Sequence, residues 1–268
     1  PFGTTTILED AHEMAAAGGV AGVQWMLKAS KDLPLRIYHS IPSCIPATKP
    51  EMEWTRNVFT AKTIQELSSE PMVLALGEVM DYGGLLGDNS RLQEITQTAR
   101  KIGLRLEGHI PTLKGVALSE YLSYGVSSDH TLTRPEKILE QISKGVAVML
   151  QTKSITRENI QLVNSLADRS QILLVTDDLE PFALQNGHLS QIVSLAVKAG
   201  MPELEAIASA TIRPARYLGL HDLGGIAPGY QADFMIAEKS TEYPPLEVYV
   251  SGRKVAKNGK LSEKHLPD

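Results

Sequence analysis

Short runs of β-branched and apolar residues alternate along the chain with segments whose apolar residues recur at i, i+3 and i+4. Runs at 3–8, 35–43, 73–80, 104–110, 125–130, 146–152 and 172–178 predict strands, and segments at 12–30, 61–69, 91–102, 115–124, 134–143 and 157–167 predict helices. Strict alternation of strand and helix predicts a parallel sheet joined by right-handed crossovers. An open doubly wound sheet and a closed barrel both satisfy that pattern, and the strand ends choose between them. Glu9 and Asp10, Ser43, Glu78, His109, His130, Asp177 and Asp178 all stand at C-terminal strand ends. A barrel gathers such residues on one face from many strands, whereas an open sheet offers a single crevice. The expected fold class is therefore α/β, a TIM-like (β/α)8 barrel with seven strands in this chain. The eighth, its first, is expected to precede Pro1, because Pro1-Phe2-Gly3-Thr4 opens directly in a strand-like run without an initiator Met.

Two further helices are predicted at 188–199 and 202–218, after which the texture changes. Gly224-Gly225-Ile226-Ala227-Pro228-Gly229 is a turn cluster, alternating runs follow at 232–237 and 247–251, and Ser251-Gly252-Arg253 reads as a hairpin turn. The expected organisation is a barrel over 1–220 and part of a small β-sandwich domain over 221–268. With 43% apolar and 21% charged residues in 268, the chain can bury a sizeable core. Its 26 basic and 31 acidic residues are interspersed and the net charge is -5, so no basic stripe is available for phosphates and nucleic acid is not an expected partner. No apolar run approaches the ~18–20 residues that span a bilayer, so no membrane partner is expected either. Cys44 is the single cysteine, which excludes an intramolecular disulfide and a Cys-based zinc site and fits a reducing compartment, the cytoplasm by default. A barrel short of one strand would expose two strand edges, so oligomerisation, a supplied complementary segment or poor stability is expected, with a homo-oligomer as the expected assembly.

Glu78, His109, His130 and Asp177 are separated by 31, 21 and 47 residues, matching one, one and two βα repeats, so all four can meet at one rim. Imidazole and carboxylate are the ligands that hold Zn2+, Mn2+ or Fe2+ with positions left open for water. Water on such an ion loses a proton near neutral pH while a neighbouring carboxylate shuttles it. Singly, a strand-end His is usually a hydrogen-bonded structural residue and a strand-end Asp often caps the next helix; four at successive strand ends favour the metal. His12 and Glu13 open the helix after the first strand, and Asp10 with Glu13 also reads as a capping box. Cys44, in Pro42-Ser43-Cys44-Ile45-Pro46, has no base paired with it by sequence and reads as packing. His188 either contacts substrate or begins a helix. His39, His221 and His265 carry no assignment.

In order and spacing, several segments resemble the amidohydrolase superfamily and, within it, the bacterial-type adenine deaminases. They are Gly3-Thr4-Thr5-Thr6, Asp10-Ala11-His12-Glu13, Pro42-Ser43-Cys44-Ile45-Pro46-Ala47, Leu76-Gly77-Glu78-Val79-Met80, Gly108-His109, Ser127-Ser128-Asp129-His130, Val175-Thr176-Asp177-Asp178, Ala210-Thr211-Ile212-Arg213-Pro214-Ala215 and 225–233. The resemblance implies hydrolysis of adenine, a purine, to hypoxanthine and ammonia by a metal-activated hydroxide. It implies Mn2+ or Fe2+, with Zn2+ as an alternative, and a binuclear centre if the first strand is supplied. Glu78 would bridge the ions, His109 and His130 would hold one and Asp177 the other. Asp177 and Glu78 would be the catalytic carboxylates, and His12 and Glu13 would serve the substrate or an additional metal. Asp178 and His188 are expected, with His12 and Glu13, to be the substrate-binding residues.

Departures from the family pattern are specific. There is no His-x-His pair, Thr131 stands where an acidic residue is usual, and Leu179-Glu180-Pro181 replaces a basic-His-Pro stretch. The larger C-terminal domain of typical members does not follow Asp268, so the chain is expected to be a fragment or a shortened relative. The competing expectations are another amidohydrolase, a deacetylase or cyclic-amide hydrolase, and a non-catalytic degenerate barrel that binds a ligand.

Overall fold

A computed structural model describes residues 1–47 and 52–262, so His265 lies outside the described residues. Among the described residues the chain forms two compact units, one made of Thr6–Asp129 and the other of Pro1–Thr5 with residues 130–262.

The Thr6–Asp129 unit runs β1 (Thr6–Asp10), α1 (His12–Ala29), β2 (Arg36–Ile41), α2 (Ala61–Leu67), β3 (Val73–Val79), α3 (Tyr82–Leu86), α4 (Ser90–Lys101), β4 (Arg105–Gly108), α5 (Gly115–Ser123) and β5 (Ser128–Asp129). Consecutive strands pair in parallel in the order β1-β2-β3-β4, and a parallel bridge between Leu106 and Val126 leads toward β5. This is the pairing that βα repeats impose. The core is continuous from Ile41 and Leu76 through Leu106 to Leu118 and Tyr121. In α4 the buried Leu92, Ile95, Thr96 and Ala99 form one stripe, and Asn89 caps the helix by accepting from Leu92 N–H.

Two local details depart from the sequence pattern. Helix α1 is broken at Gly19 (φ 61, ψ -144), where Asn57 Oδ1 occupies the space a Cβ would need. The capping box does not form: the residue before α1 is Ala11 and no side chain caps it. Asp10 instead reaches across to β3, as described below. His39, without assignment in the sequence, is buried in β2 with Nδ1 against Glu9 Oε1 and Nε2 2.9 Å from Ser30 Oγ.

The second unit contains α6 (Pro135–Ser143), β6 (Ala147–Leu150), α7 (Arg157–Ser165), β7 (Ile172–Leu174), α8 (Leu189–Lys198), α9 (Glu203–Ala210), α10 (Ile212–Tyr217) and the strands β8 (Phe234–Ile236), β9 (Glu247–Val250), β10 (Arg253–Lys257) and β11 (Lys260–Leu261). β6 and β7 pair in parallel over a core of Ile138, Val148, Ile160, Ile172 and Ile192. The single helix expected over 202–218 is two helices, separated at Thr211 (φ -132, ψ -89). Pro214 supplies the reason: in an unbroken helix its ring would meet the carbonyl of Ala210, whereas early in a new helix its missing N–H costs nothing.

β8 to β11 form an antiparallel sheet in the order β11-β10-β9-β8, with Phe234 stacked on Tyr249 at 4.5 Å. Ser251 (φ 49) and Gly252 (φ 75) make the predicted β9–β10 turn, a geometry whose twist suits a two-residue hairpin. Asn258 (φ 48) and Gly259 (φ 75) repeat it before β11, a strand the sequence reading passed over despite its Asn-Gly signal. No helix among the described residues is long and apolar enough to cross a membrane.

Candidate metal centre

The strand ends of β3 and β4 carry the centre. The register of β3 against β4 shifts between Leu76 and Val79, spanning Gly77 and Glu78, and an irregularity of this kind re-aims a side chain at a strand end. Gly77 is required there, because a Cβ would lie 2.1 Å from Asp10 Oδ2. That same oxygen accepts the Glu78 backbone N–H at 3.2 Å, while Ser43 Oγ–H donates to the Glu78 carbonyl at 2.7 Å. The Glu78 backbone is thus held from β1 and from the loop after β2, and its side chain is 16% exposed.

His109 follows β4 directly, and its Nδ1 lies 2.7 Å from Glu78 Oε2. Tyr121, fully buried in α5, braces the pair: its hydroxyl donates to Val79 O at 2.6 Å and accepts His109 N–H at 3.4 Å. Burial pushes the Tyr121 phenol upward, so it stays protonated and remains a donor. Further along, Asp129 Oδ1 accepts Ile110 N–H at 2.9 Å, and Ser128 Oγ accepts Gly108 N–H at 3.1 Å while donating to Glu107 at 2.5 Å. His130 follows Asp129, so the end of β5 sets its position. One ligand atom each from Glu78, His109 and His130 lies within 4.8 Å of the others.

One carboxylate and two imidazoles at that spacing suit a divalent cation. The donor set matches Zn2+, Mn2+ or Fe2+, and a cation offsets the cost of sequestering the Glu78 charge. A protein-family comparison matches the amidohydrolase family over residues 1–260. The chain belongs to the amidohydrolase family.

Among curated relatives of this amidohydrolase chain, adenine deaminase 2 of Carboxydothermus hydrogenoformans is 40% identical over 97% of the chain and 45% of its own length. The adenine deaminase of Petrotoga mobilis is 38% identical over 97% and 45%, and that of Methanothermobacter thermautotrophicus 34% over 97% and 47%. The chain therefore spans about half the length of the curated relatives it matches. Among solved structures, the β-aspartyl dipeptidase of Fervidobacterium islandicum AW-1 superposes with TM-score 0.69 at 17% identity, covering 97% of this chain and 75% of that one. The N-acetyl-D-glucosamine-6-phosphate deacetylase of Mycobacterium smegmatis gives 0.65 at 16%, covering 94% and 75%. The fold is accordingly a TIM-like amidohydrolase barrel with a small separate antiparallel sheet, and the family together with the cluster indicates divalent-metal binding.

The remaining predicted residues fall outside the cluster of three. In this amidohydrolase, β7 ends at Leu174, and the chain turns so that Asp177 adopts a left-handed backbone (φ 58) and is exposed. Gln151 Nε2–H donates to its Oδ2 at 2.6 Å and Asp178 N–H to its Oδ1 at 2.9 Å, and Asp178 is itself exposed. His12 lies with Nδ1 3.7 Å from Asp10 Oδ1 and Nε2 3.2 Å from the exposed Glu13. The Asp10 carboxylate foremost pushes the His12 imidazole up to about 9, while burial raises Asp10. His188 precedes α8, half-buried, with Nδ1 3.2 Å from Thr4 Oγ1, and burial lowers its pKa.

Cys44 is buried and its thiol is pushed up to about 12, first by burial and then by the charges of Asp10 and Glu78. A thiol that stays protonated is a packing group and no nucleophile. Thr131, one of the departures from the family pattern, is buried and accepts from Lys137 Nζ at 2.6 Å. The sequence reading missed Tyr121 and the bracing role of Asp129. The signal for Asp129 was present: it neighbours His130 at a strand end. Tyr121 gave none, being one apolar position of a helical stripe.

Proposed function

We propose that the protein is a divalent-metal hydrolase that converts adenine and water to hypoxanthine and ammonia. The observation that carries this reading is the convergence of Glu78, His109 and His130 on one point in a chain 34–40% identical to proteins named adenine deaminase. Those three residues would hold the ion, with Asp177 as a further ligand. A bound divalent ion supplies Lewis acidity that brings the ionisation of water to near-neutral pH. Mn2+ or Fe2+ fits a set with one carboxylate and two imidazoles, and Zn2+ is accommodated by the same donors. A second ion needs ligands beyond this set.

The overall reaction adds the oxygen of water to C6 of the purine and breaks the C6–N6 bond, releasing ammonia. Asp177 takes a proton on the attacking side and delivers one to the departing amino nitrogen. Its exposed carboxylate, oriented by Gln151, can exchange protons in both directions. Glu78 is held rigid through its backbone by Asp10 and Ser43, so its carboxylate needs no rearrangement as charge develops. His12, Glu13, Asp178 and His188 are assigned to the purine. We further assign residues 1–220 to the barrel and 221–268 to part of a β-sandwich, and place the protein in the cytoplasm as a homo-oligomer.

The test is ammonia release by the natural full-length protein, loaded with Mn2+, from adenine and from a panel of N-acetyl compounds and cyclic amides. Turnover of adenine above the panel is expected. Turnover confined to the panel, or none at all, overturns the proposal.

A further inference from the structure

The segment that leads from β2 into α2 has an inverted pattern of exposure. From residue 52 to 59 its side chains alternate. Met52, Trp54, Arg56 and Val58 face out, while Glu53, Thr55, Asn57 and Phe59 face in. The outward set is the more apolar one. Trp54 is 102% exposed, more than any other large apolar residue described. Tryptophan has among the largest apolar areas to gain from burial, so a chain free to turn this segment over would do so.

The segment is not free to turn. Phe59 N–H donates to Ile45 O at 2.9 Å, joining the two feet of the loop. Arg91 of α4 fastens both feet, donating to Ile45 O at 3.1 Å, Phe59 O at 3.0 Å and Pro46 O at 3.3 Å. Between the feet, Thr55 Oγ–H and Asn57 Nδ2–H donate to the Ala16 carbonyl at 2.6 and 3.0 Å, beside the kink of α1. The inward Thr55 and Asn57 are spent on these bonds, and the outward apolar face is held in the open.

What the face is held open for follows from its position and shape. The loop leaves β2 past Ser43, whose hydroxyl holds the Glu78 carbonyl, so it departs from the same strand-end rim as the metal centre. Pro46 and the segment from Met52 to Val58, its inward Glu53, Thr55 and Asn57 included, line a pocket of about 590 Å³, within the usual range of small-molecule sites. An indole face beside a guanidinium suits a flat aromatic ring whose edge carries nitrogen acceptors.

We infer that Trp54 stacks on the purine base of the substrate and sets the preference for a planar heterocycle. This inference rests on the deaminase reading above and adds a specificity-determining residue to it.

The experiment compares wild-type full-length protein with Trp54→Ala and Trp54→Phe, by steady-state kinetics on adenine, adenine titration of tryptophan fluorescence, and gel filtration. Expected are a KM for adenine raised ~10-fold or more in Trp54→Ala with a much smaller change in kcat, and near-wild-type KM in Trp54→Phe. Adenine should quench a component of the emission that both variants lack. Adenine turnover with unaltered KM in Trp54→Ala and no Trp54-dependent quench overturns this inference and leaves the deaminase reading intact. A smaller oligomer with unaltered KM also overturns it, assigning the face to a second copy of the chain. Absence of adenine turnover in the wild type overturns the deaminase reading and takes this inference with it.

Discussion

Glu78 and Asp177 are both acids near the C-terminal end of a parallel strand, Glu78 within the last two residues of β3 and Asp177 beyond the end of β7, one in each compact unit, and their surroundings differ sharply. Glu78 sits on a register shift, its backbone held by Asp10 and Ser43, its carboxylate 2.7 Å from His109. Asp177 lies three residues past its strand, in a left-handed backbone, exposed and held by Gln151. The βα repeat delivers an acid to a strand end in each case. Burial and bracing then decide its chemistry: a rigid, sequestered carboxylate suits a cation, and an exposed one suits proton exchange.

The largest effect that tests this contrast is on metal content. His109→Ala and His130→Ala should each lower affinity for divalent metal by ~100-fold or more, measured by elemental analysis after gel filtration, since even outer partners of metal ligands cost 10–100-fold. Asp177→Asn should retain more metal than either while losing adenine turnover. Equal metal loss in all three would make Asp177 as central as the histidines; unchanged metal in both histidine variants would dismantle the centre.

A middle-sized effect concerns the bracing. Tyr121→Phe leaves the buried Val79 carbonyl without its donor and should cost about 1–3 kcal/mol in urea unfolding. Gln151→Ala, which removes only the support of an exposed carboxylate, should stay within about 0.5 kcal/mol. Similar costs for the two would erase the difference between the acids' surroundings.

The smallest effect lies in the second unit, where Arg213 at 2.6 Å foremost, with Arg169 at 3.6 Å, holds Glu205 below the usual carboxylate range. A depressed folded pKa contributes stability that is present above the unfolded value of 4.5 and lost as pH falls through the folded one. Glu205→Gln should therefore be less stable than wild type at pH 7, and the two thermal midpoints should converge under acid. A gap that persists under acid would assign the effect to packing instead of charge.

Much of this architecture was legible along the chain. Each of the seven expected strand runs overlaps an observed strand, although β1 is displaced to Thr6–Asp10, β5 shrinks to Ser128–Asp129 and β7 stops at Leu174, and the Ser251-Gly252 hairpin lies where turn chemistry puts it. The divided helix around Thr211 was legible too, had Pro214 been weighed against its carbonyl four residues back. Less legible was Asp10, whose spacing to Glu13 mimics a cap while its carboxylate serves Glu78, 68 residues away. Trp54 and Tyr121 were silent in sequence, because an exposed and a buried aromatic are written with the same apolar letter.

The order of strands and helices, and the residues at each strand end, follow from the sequence by itself, because backbone preference and side-chain periodicity act between near neighbours. Which strand-end groups meet was decided only by the tertiary structure. Glu78 faces His109 because β3 slips its register at Gly77 and Asp10 fills the space that glycine leaves. Asp177 stands exposed because its strand stops at Leu174. Both outcomes depend on contacts between residues far apart in the chain, which no local pattern encodes.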